Sequence, residues 1–198
     1  PVIKALRKQC DLKFDVHLMI SPVHKYIESY ADAGADMVKI QTYKPETMTV
    51  KGLDTRFEIS NGLWRGYRLH DLYESAMTPW DWHKKLSERA LANGISLFSS
   101  PFDETAVQFL EDEINPPLYK IASFELNHFP LLRAVAQTRK PVIASTGVSS
   151  EKMIKQALDC APDEQPKLQA HLGTQCCEDT VLLALQSDAG NVSVKVVG

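Results

Sequence analysis

The sequence predicts an α/β fold, and its expected form is a TIM-like (β/α) barrel that is incomplete, with about seven strands. Short and almost continuously apolar runs alternate along the chain with segments that carry apolar residues at helical spacing. Such runs are typical of strands that are buried on both faces of a parallel sheet. A complete barrel needs about 250 residues, whereas this chain has 198. We therefore expect residues 1–198 to form one barrel domain with fewer than eight strands.

The predicted strands and helices follow one another in βα order. Four segments with helical periodicity lie between the strands. The first ends in Gly34, a typical residue after a helix, and the second opens with Asp103, a typical N-cap. The predicted strands are 14–20, 37–43, 95–100, 118–123, 141–146, 167–172 and 192–197, and the predicted helices are 22–34, 103–114, 129–138 and 151–160.

Composition and charge exclude several classes of protein. The net charge of −3 comes without a clustered basic face, so we expect no nucleic-acid partner. No apolar run reaches the roughly 18 residues that a membrane span requires, and the first residues do not resemble a signal peptide. The four cysteines form no CxxC pair, which favours reduced thiols and a cytoplasmic location.

One long segment, 45–78, interrupts the βα order. A loop between a strand and a helix usually has about 2–6 residues. Long loops after the carboxyl ends of barrel strands often build active sites. The alternative is an insertion in which Trp64, Tyr67 and Tyr73 pack into a small core of their own.

Polar residues lie at or just after the ends of several predicted strands. Lys39 and Gln41 are two residues apart on one strand, so they share a face. A lysine in a buried strand is costly unless its charge is compensated. Two such lysines among hydroxyl groups would bind a phosphate and a carboxylate, although each could instead reach water or pair with a buried acid such as Glu125. The remaining candidates are Ser100, Lys120, Ser123 and Ser145.

Four motifs resemble those of the sialic/pseudaminic acid synthase family, in the order and spacing of that family. They are residues 38–43 (VKIQTY), 98–103 (FSSPFD), 119–125 (YKIASFE) and 140–147 (KPVIASTG). Within the long segment and just after it, residues 61–64 (NGLW), 71–74 (DLYE) and 78–83 (TPWDWH) are similar to the pseudaminic branch of the family. The resemblance covers a synthase-like core, residues 38–150.

The resemblance implies an enzyme that forms a C–C bond, with small molecules as partners. Such enzymes condense phosphoenolpyruvate with an N-acylated amino sugar to give a nonulosonic (pseudaminic or sialic) acid. A divalent metal, Mn²⁺ or Mg²⁺, is implied as cofactor, and a homodimer is a possible assembly. The matching positions would hold phosphoenolpyruvate through Lys39, Ser100, Lys120, Ser123 and Ser145. Gln41 and Glu125 would face the sugar, and Trp64 would shape sugar specificity.

The two ends of the chain depart from that family. Residues 1–37 resemble ribulose-phosphate 3-epimerase, in which the histidine at the position of His17 is a metal ligand and the methionine at that of Met19 lines the pocket. The epimerase's remaining ligands and its catalytic acids are not found, so a local structural role is favoured for His17. Residues 151–198 are unassigned, and His171 stands outside the expected metal-binding motifs. No metal ligands and no catalytic residue are therefore assigned.

Two alternatives to the synthase remain open at this point. One is an isomerase similar to the epimerase, and the other is a chimeric or designed barrel without catalytic activity. For the synthase itself we expect weak or absent turnover, because the catalytic glutamate and the metal-binding motifs of the family are not found.

Overall fold

A computed structural model describes residues 15–17, 23–160, 169–172 and 182–186 of the chain. These residues contain seven strands in a single sheet. The strands are β1 (Asp15–His17), β2 (Met37–Thr42), β3 (Ser96–Pro101), β4 (Tyr119–Ile121), β5 (Val142–Ser145), β6 (Gln169–Leu172) and β7 (Leu182–Gln186). Six of them lie within or overlap predicted segments. The strand predicted at 192–197 lies outside the described residues, whereas β7 was not predicted.

The sheet has the order β1-β2-β3-β4-β5-β7-β6. The first five strands are parallel, and β2 and β3 share the longest register, from Met37 opposite Ser96 to Thr42 opposite Pro101. The last two strands differ from the prediction, because β7 pairs antiparallel with both β5 and β6. Within the described residues no pairing joins β1 to β6, so the parallel sheet is confirmed and the closed barrel is not.

Seven α-helices accompany the described strands, and four of them coincide with predicted helices. The helices are α1 (Val23–Asp32), α2 (Pro45–Met48), α3 (Leu69–Ala76), α4 (His83–Ala92), α5 (Glu104–Glu113), α6 (Phe129–Gln137) and α7 (Glu151–Asp159). Gly34 follows α1 with a φ of 89°, as its predicted role at a helix end requires. The prediction missed α2, α3 and α4. None of the helices in the described ranges is long and apolar enough to cross a bilayer.

The N-cap of α5 is the strongest local signal that the structure confirms. The Asp103 carboxylate accepts hydrogen bonds from the backbone N–H groups of Thr105 at 2.8 Å and Ala106 at 3.1 Å. These two donors would otherwise have no partner in the first turn of the helix. The helix therefore begins where the sequence predicts.

The described hydrophobic core lies between the sheet and the helices. Val38 and Ile40 of β2 pack with Ile27 of α1 and Leu86 of α4. A second cluster joins β4 and β5 to α5 and α6 through Tyr119, Ile121, Val142, Leu110 and Leu131. The helices cover one face of the sheet. Because strand residues alternate between the two faces, the residues between the core positions point to the other face.

The long segment 45–78 contains α2, α3 and an exposed tip. Trp64 and Tyr67 lie at the tip with ring centroids 6.0 Å apart, and both are exposed. Tyr73 instead packs edge-on against Tyr43, 5.7 Å away. The idea that Trp64, Tyr67 and Tyr73 form one small core is therefore wrong, because Tyr73 joins the main body of the protein.

Cys160 is a free, half-buried thiol directly after α7, and burial raises its pKa. The reduced state of the thiols stays a prediction. Cys10, Cys176 and Cys177 lie outside the described residues.

Candidate functional site

Lys39 and Gln41 share the face of β2 that lies opposite the helices. Val38, Ile40 and Thr42 are buried, whereas Met37, Lys39 and Gln41 are half-buried. The register places Phe98 beside Lys39 and Ser100 beside Gln41. Since residues in register share a face, Ser100 lies next to Gln41 on the same side of the sheet.

Lys120 and Ser145 lie on this face too. Tyr119 is in register with Ser99, which is one residue away from Ser100, so Lys120 points to the side of Ser100. Lys120 is only 7% exposed, and its Nζ donates a hydrogen bond to the Ser145 hydroxyl on β5. The structure thus brings Lys39, Gln41, Ser100, Lys120 and Ser145 together on one sheet face, which we call the lysine face.

The lysine face lies toward the carboxyl ends of its strands. Gln41 and Ser100 each precede the last residue of a strand, and Ser145 ends β5. Parallel α/β sheets place their ligand sites at these ends. Two cations, an amide and two hydroxyl groups on such a surface can bind an anion with more than one acidic group.

Ser123 and Glu125 follow directly after β4, in a turn of 3₁₀ helix (Ser123–Asn127). Both residues are half-buried. The Oε2 atom of Glu125 is buried and makes no hydrogen bond. Burial raises the pKa of this carboxyl group, although its own backbone N–H and His128 oppose the shift. Burial thus makes this carboxyl group easier to protonate than an exposed one.

A buried hydrogen-bond network supports the lysine face from behind, where sequence reasoning predicted nothing. The ring Nδ1 of His83 lies 3.1 Å from the Pro79 carbonyl oxygen, and its Nε2 lies 2.7 Å from the hydroxyl of Thr42. Since a carbonyl only accepts, Nδ1 carries the proton and Nε2 accepts from Thr42. The Thr42 hydroxyl also lies 2.7 Å from that of Ser99. The network connects the ends of β2 and β3, next to Gln41 and Ser100.

The imidazole of His83 is neutral in this network. Burial lowers its pKa from 6.5 to about 4, against smaller opposing effects from the backbone of Pro79 and Trp80 and from the Asp81 charge. The side chain is completely buried, so a charged ring would lose its hydration.

Trp64, the last of the predicted site residues, lies at the exposed tip of the long segment. Its indole is 43% exposed and contacts Tyr67. Its role in sugar specificity stays a prediction.

The implied divalent metal does not fit the described residues of the lysine face. The sequence predicts one carboxyl group at this site, that of Glu125. The charges of Lys39 and Lys120 repel a metal ion. Within the described ranges, a cluster of three potential ligands occurs at His70, Asp71 and Glu74 on α3. His17 is in register with Lys39 and His171 belongs to β6, but their side chains lie outside the described part of the structure.

The sequence is similar to enzymes that make nonulosonic acids. It is 42% identical over 141 residues to the pseudaminic acid synthase of Campylobacter jejuni, covering 71% of this chain and 41% of that protein. It is 40% identical over 144 residues to the pseudaminic acid synthase of Helicobacter pylori, covering 73% of this chain and 41% of that protein. The chain thus spans about two fifths of the length of these curated relatives.

The fold is similar to that of two solved structures. The N-acetylneuraminic acid synthetase of Leptospira borgpetersenii, solved with citrate, superposes with a TM-score of 0.61 at 25% identity, covering 74% of this chain and 48% of that one. A truncated 3-deoxy-D-arabino-heptulosonate 7-phosphate synthase from Thermotoga maritima gives a TM-score of 0.52 at 10% identity, covering 75% of this chain and 45% of that one. The second likeness concerns the fold alone.

The family match extends beyond the predicted core on both sides. The sequence model of the NeuB family matches residues 26–188, which include part of the epimerase-like segment and much of the unassigned tail. The comparisons do not show the resemblance of residues 1–37 to ribulose-phosphate 3-epimerase. The match covers most of the chain and agrees with the parallel sheet and the four motifs, so this chain belongs to the NeuB family.

Proposed function

We propose that the lysine face binds phosphoenolpyruvate, in a synthase that condenses phosphoenolpyruvate with an N-acylated amino sugar to a nonulosonic acid of the pseudaminic type. The observation that carries the proposal is the position of Lys39 and Lys120 on one sheet face, with Lys120 bonded to Ser145. The relatives named pseudaminic acid synthases support the choice of product.

The charges of the lysine face suit this substrate. Phosphoenolpyruvate carries a phosphate and a carboxylate on adjacent atoms of one small molecule. Two ammonium groups can neutralise the two anions, while the hydroxyls of Ser100, Ser123 and Ser145 donate hydrogen bonds to their oxygens. Lys120 is largely buried, so its attraction to an anion is screened less than that of a surface lysine.

The reaction itself joins two carbon atoms and releases phosphate. C3 of phosphoenolpyruvate forms a bond to the aldehyde carbon of the open-chain sugar, and a water oxygen adds at C2. Phosphate then leaves from C2, so the balance is phosphoenolpyruvate, sugar and water to sugar acid and phosphate. No step of this reaction is assigned to a metal, because the described residues of the lysine face do not fit one.

Gln41 and Glu125 are proposed to face the sugar. The Gln41 amide is next to Ser100 and offers both a donor and an acceptor to sugar hydroxyl groups. Glu125 has a buried oxygen without a hydrogen bond and a raised pKa. In its protonated form it would donate to the aldehyde oxygen as negative charge develops there.

A titration of the protein with phosphoenolpyruvate in a calorimeter tests the binding site. We expect Lys120→Met to weaken binding about 10- to 100-fold, the effect of losing one charge-assisted hydrogen bond. Lys152→Met, which removes an exposed lysine of α7, is the matched control and should leave the affinity unchanged.

Equal affinities for the two variants, or no binding by the original protein, would overturn the proposal. Phosphate release with sugar and Mn²⁺ or Mg²⁺ is measured separately. We expect it to be slow, because the described residues of the lysine face contain no set of metal ligands; rapid metal-dependent release would contradict that part.

A further inference from the structure

Three potential metal ligands are grouped on α3, within the long segment 45–78. His70, Asp71 and Glu74 occupy positions i, i+1 and i+4 of the helix. One ligand atom from each residue lies within 4.8 Å of the others. Residues at i and i+4 lie on the same side of a helix, so His70 and Glu74 can approach the same ion.

The state of His70 is an independent indication of a ligand. Its side chain is only 3% exposed, and neither ring nitrogen makes a hydrogen bond. A buried polar group without a partner costs about 1–3 kcal/mol. Buried polar atoms in native proteins nearly always have a partner, so an imidazole in this condition requires an explanation.

The distances around the ring suggest what the partner is. Nδ1 lies 3.8 Å from Oδ1 of Asp71, and Nε2 lies 3.7 Å from Oε1 of Glu46 on α2. Both distances are too long for a hydrogen bond. Two ligands that bind one ion at about 2.0–2.2 Å lie about 3–4 Å from each other, which is the separation of Nδ1 and the Asp71 carboxylate.

The acidic surroundings favour a cation. Asp71 and Glu74 are exposed, so their carboxylates reach an ion from the solvent side while the imidazole holds it from the protein side. Glu46 lies on the other side of the ring, where its carboxylate can accept the Nε2 proton. This is the arrangement of a carboxylate, a histidine and a metal that fixes the ring of many metal ligands.

We propose that α3 binds a divalent first-row transition ion, of which Zn²⁺ is the representative, through Nδ1 of His70 and the carboxylates of Asp71 and Glu74. One imidazole and two carboxylates suit such an ion better than Mg²⁺ or Ca²⁺, which prefer oxygen alone. Glu46 orients the ring from α2. The bound ion fixes the His70 ring on α3, and the contact of this ring with Glu46 connects α3 to α2.

Titration with Co²⁺, followed by visible absorption, and with Zn²⁺, followed by calorimetry, tests the site. We expect one site per chain, with d–d bands of Co²⁺ and no thiolate charge-transfer bands. Glu74→Gln changes an exposed residue and should weaken binding at least 10-fold without affecting folding. His70→Gln should abolish the bands, and Glu88→Gln on α4 is the matched control that should retain them.

Three results would overturn the proposal. The first is no saturable binding of either ion up to about 100 times the protein concentration. The second is the same affinity in Glu74→Gln as in Glu88→Gln. The third is thiolate bands with Co²⁺, which would assign the ion to a cysteine instead. Since Glu74 is exposed, its variant tests the site even if His70→Gln does not fold.

Discussion

Two buried histidines of this chain differ in the hydrogen bonds of their ring nitrogens. His83 has a partner at each nitrogen, Pro79 and Thr42, and it is neutral. His70 is equally buried but has no hydrogen bond at either nitrogen. The first is a structural residue with satisfied polar atoms, and the second is the ligand in the metal site we propose. Both rings are buried, and the difference in hydrogen-bond partners is what points to a ligand at His70.

The lowered pKa of His83 makes the stability of the protein depend on pH. The unfolded chain binds a proton on this histidine near pH 6.5, whereas the folded protein binds it only near pH 4. The contribution of His83 to the free energy of unfolding is therefore present above pH 6.5, and it is lost as the pH falls from 6.5 toward 4. We expect the free energy of unfolding, measured with urea, to decrease by about 2 kcal/mol between pH 7 and pH 5 through His83.

The variant His83→Gln should lack that part of the pH dependence. His128→Gln, at a half-buried position, is the matched control and should keep it. A slope that is the same in His83→Gln and in the original protein would show that the ring takes up its proton at the same pH in the folded and the unfolded chain.

The face on which a strand residue lies can be predicted from the sequence, because side chains alternate along a strand. Lys39 and Gln41 are on one face because they are two apart on a strand, and this needs no tertiary information. That Lys120 and Ser145 join them depends on the register between strands, which the sequence does not specify. His70 and His83 could not be assigned from sequence, because their burial arises from contacts between segments that are distant along the chain.

Among the elements, α5 shows how one side chain can fix where a helix begins. Burial alone would raise the pKa of Asp103, but hydrogen bonds from Thr105 and Ala106 lower it below the ordinary value. Replacing Asp103 with alanine should destabilise the protein by about 1–2 kcal/mol at pH 7. The contribution is present above the unfolded pKa, near 4, and should disappear as the pH falls through the folded pKa.

Ser150→Ala provides a graded comparison for the Asp103 variant. Ser150 caps α7 through one hydrogen bond of 3.3 Å to the Met153 N–H, in an exposed position. Its replacement should cost less than that of Asp103 in the same urea titration. If the two variants lose the same stability, the cap of α5 is not the stronger one.

There are physical reasons why the sequence pattern did not predict α4 and β7. For α4, the segment His83–Ala92 packs on β3 and α1 through Leu86 and Ala90, but half of its other positions are charged and the apolar pattern is weak. For β7, the apolar run Leu182–Gln186 does not reveal that it pairs antiparallel with β5. Strand direction is decided by partners, so periodicity alone leads to the parallel barrel that the structure does not confirm.

On the scale of the whole molecule, a bound substrate should stabilise the fold. A ligand at 100 times its dissociation constant adds about 2.7 kcal/mol to the free energy of unfolding. For a chain of 198 residues this corresponds to an increase of about 5–10 °C in Tm. We expect phosphoenolpyruvate to cause this shift in a thermal melt, and Lys120→Met to lose most of it at the same concentration.

Lys152→Met again serves as the matched variant and should melt with the full shift. A shift that survives in Lys120→Met would place the bound anion elsewhere on the molecule. The measurement also addresses the alternative of a barrel without activity, because such a protein would melt at the same temperature with and without the ligand.

The tip of the long segment offers a position for attaching a probe. Asn61 and Gly62 are exposed, and backbone hydrogen bonds between Ile59 and both Gly66 and Tyr67 close the tip below them. The pairing of β2 with β3 already closes residues 43–95 into one long loop. Ten more residues would add only about 0.2 kcal/mol to that closure and about 0.8 kcal/mol to the smaller closure of the tip, so a fluorescent or affinity peptide inserted there would report on the protein without disturbing its strands.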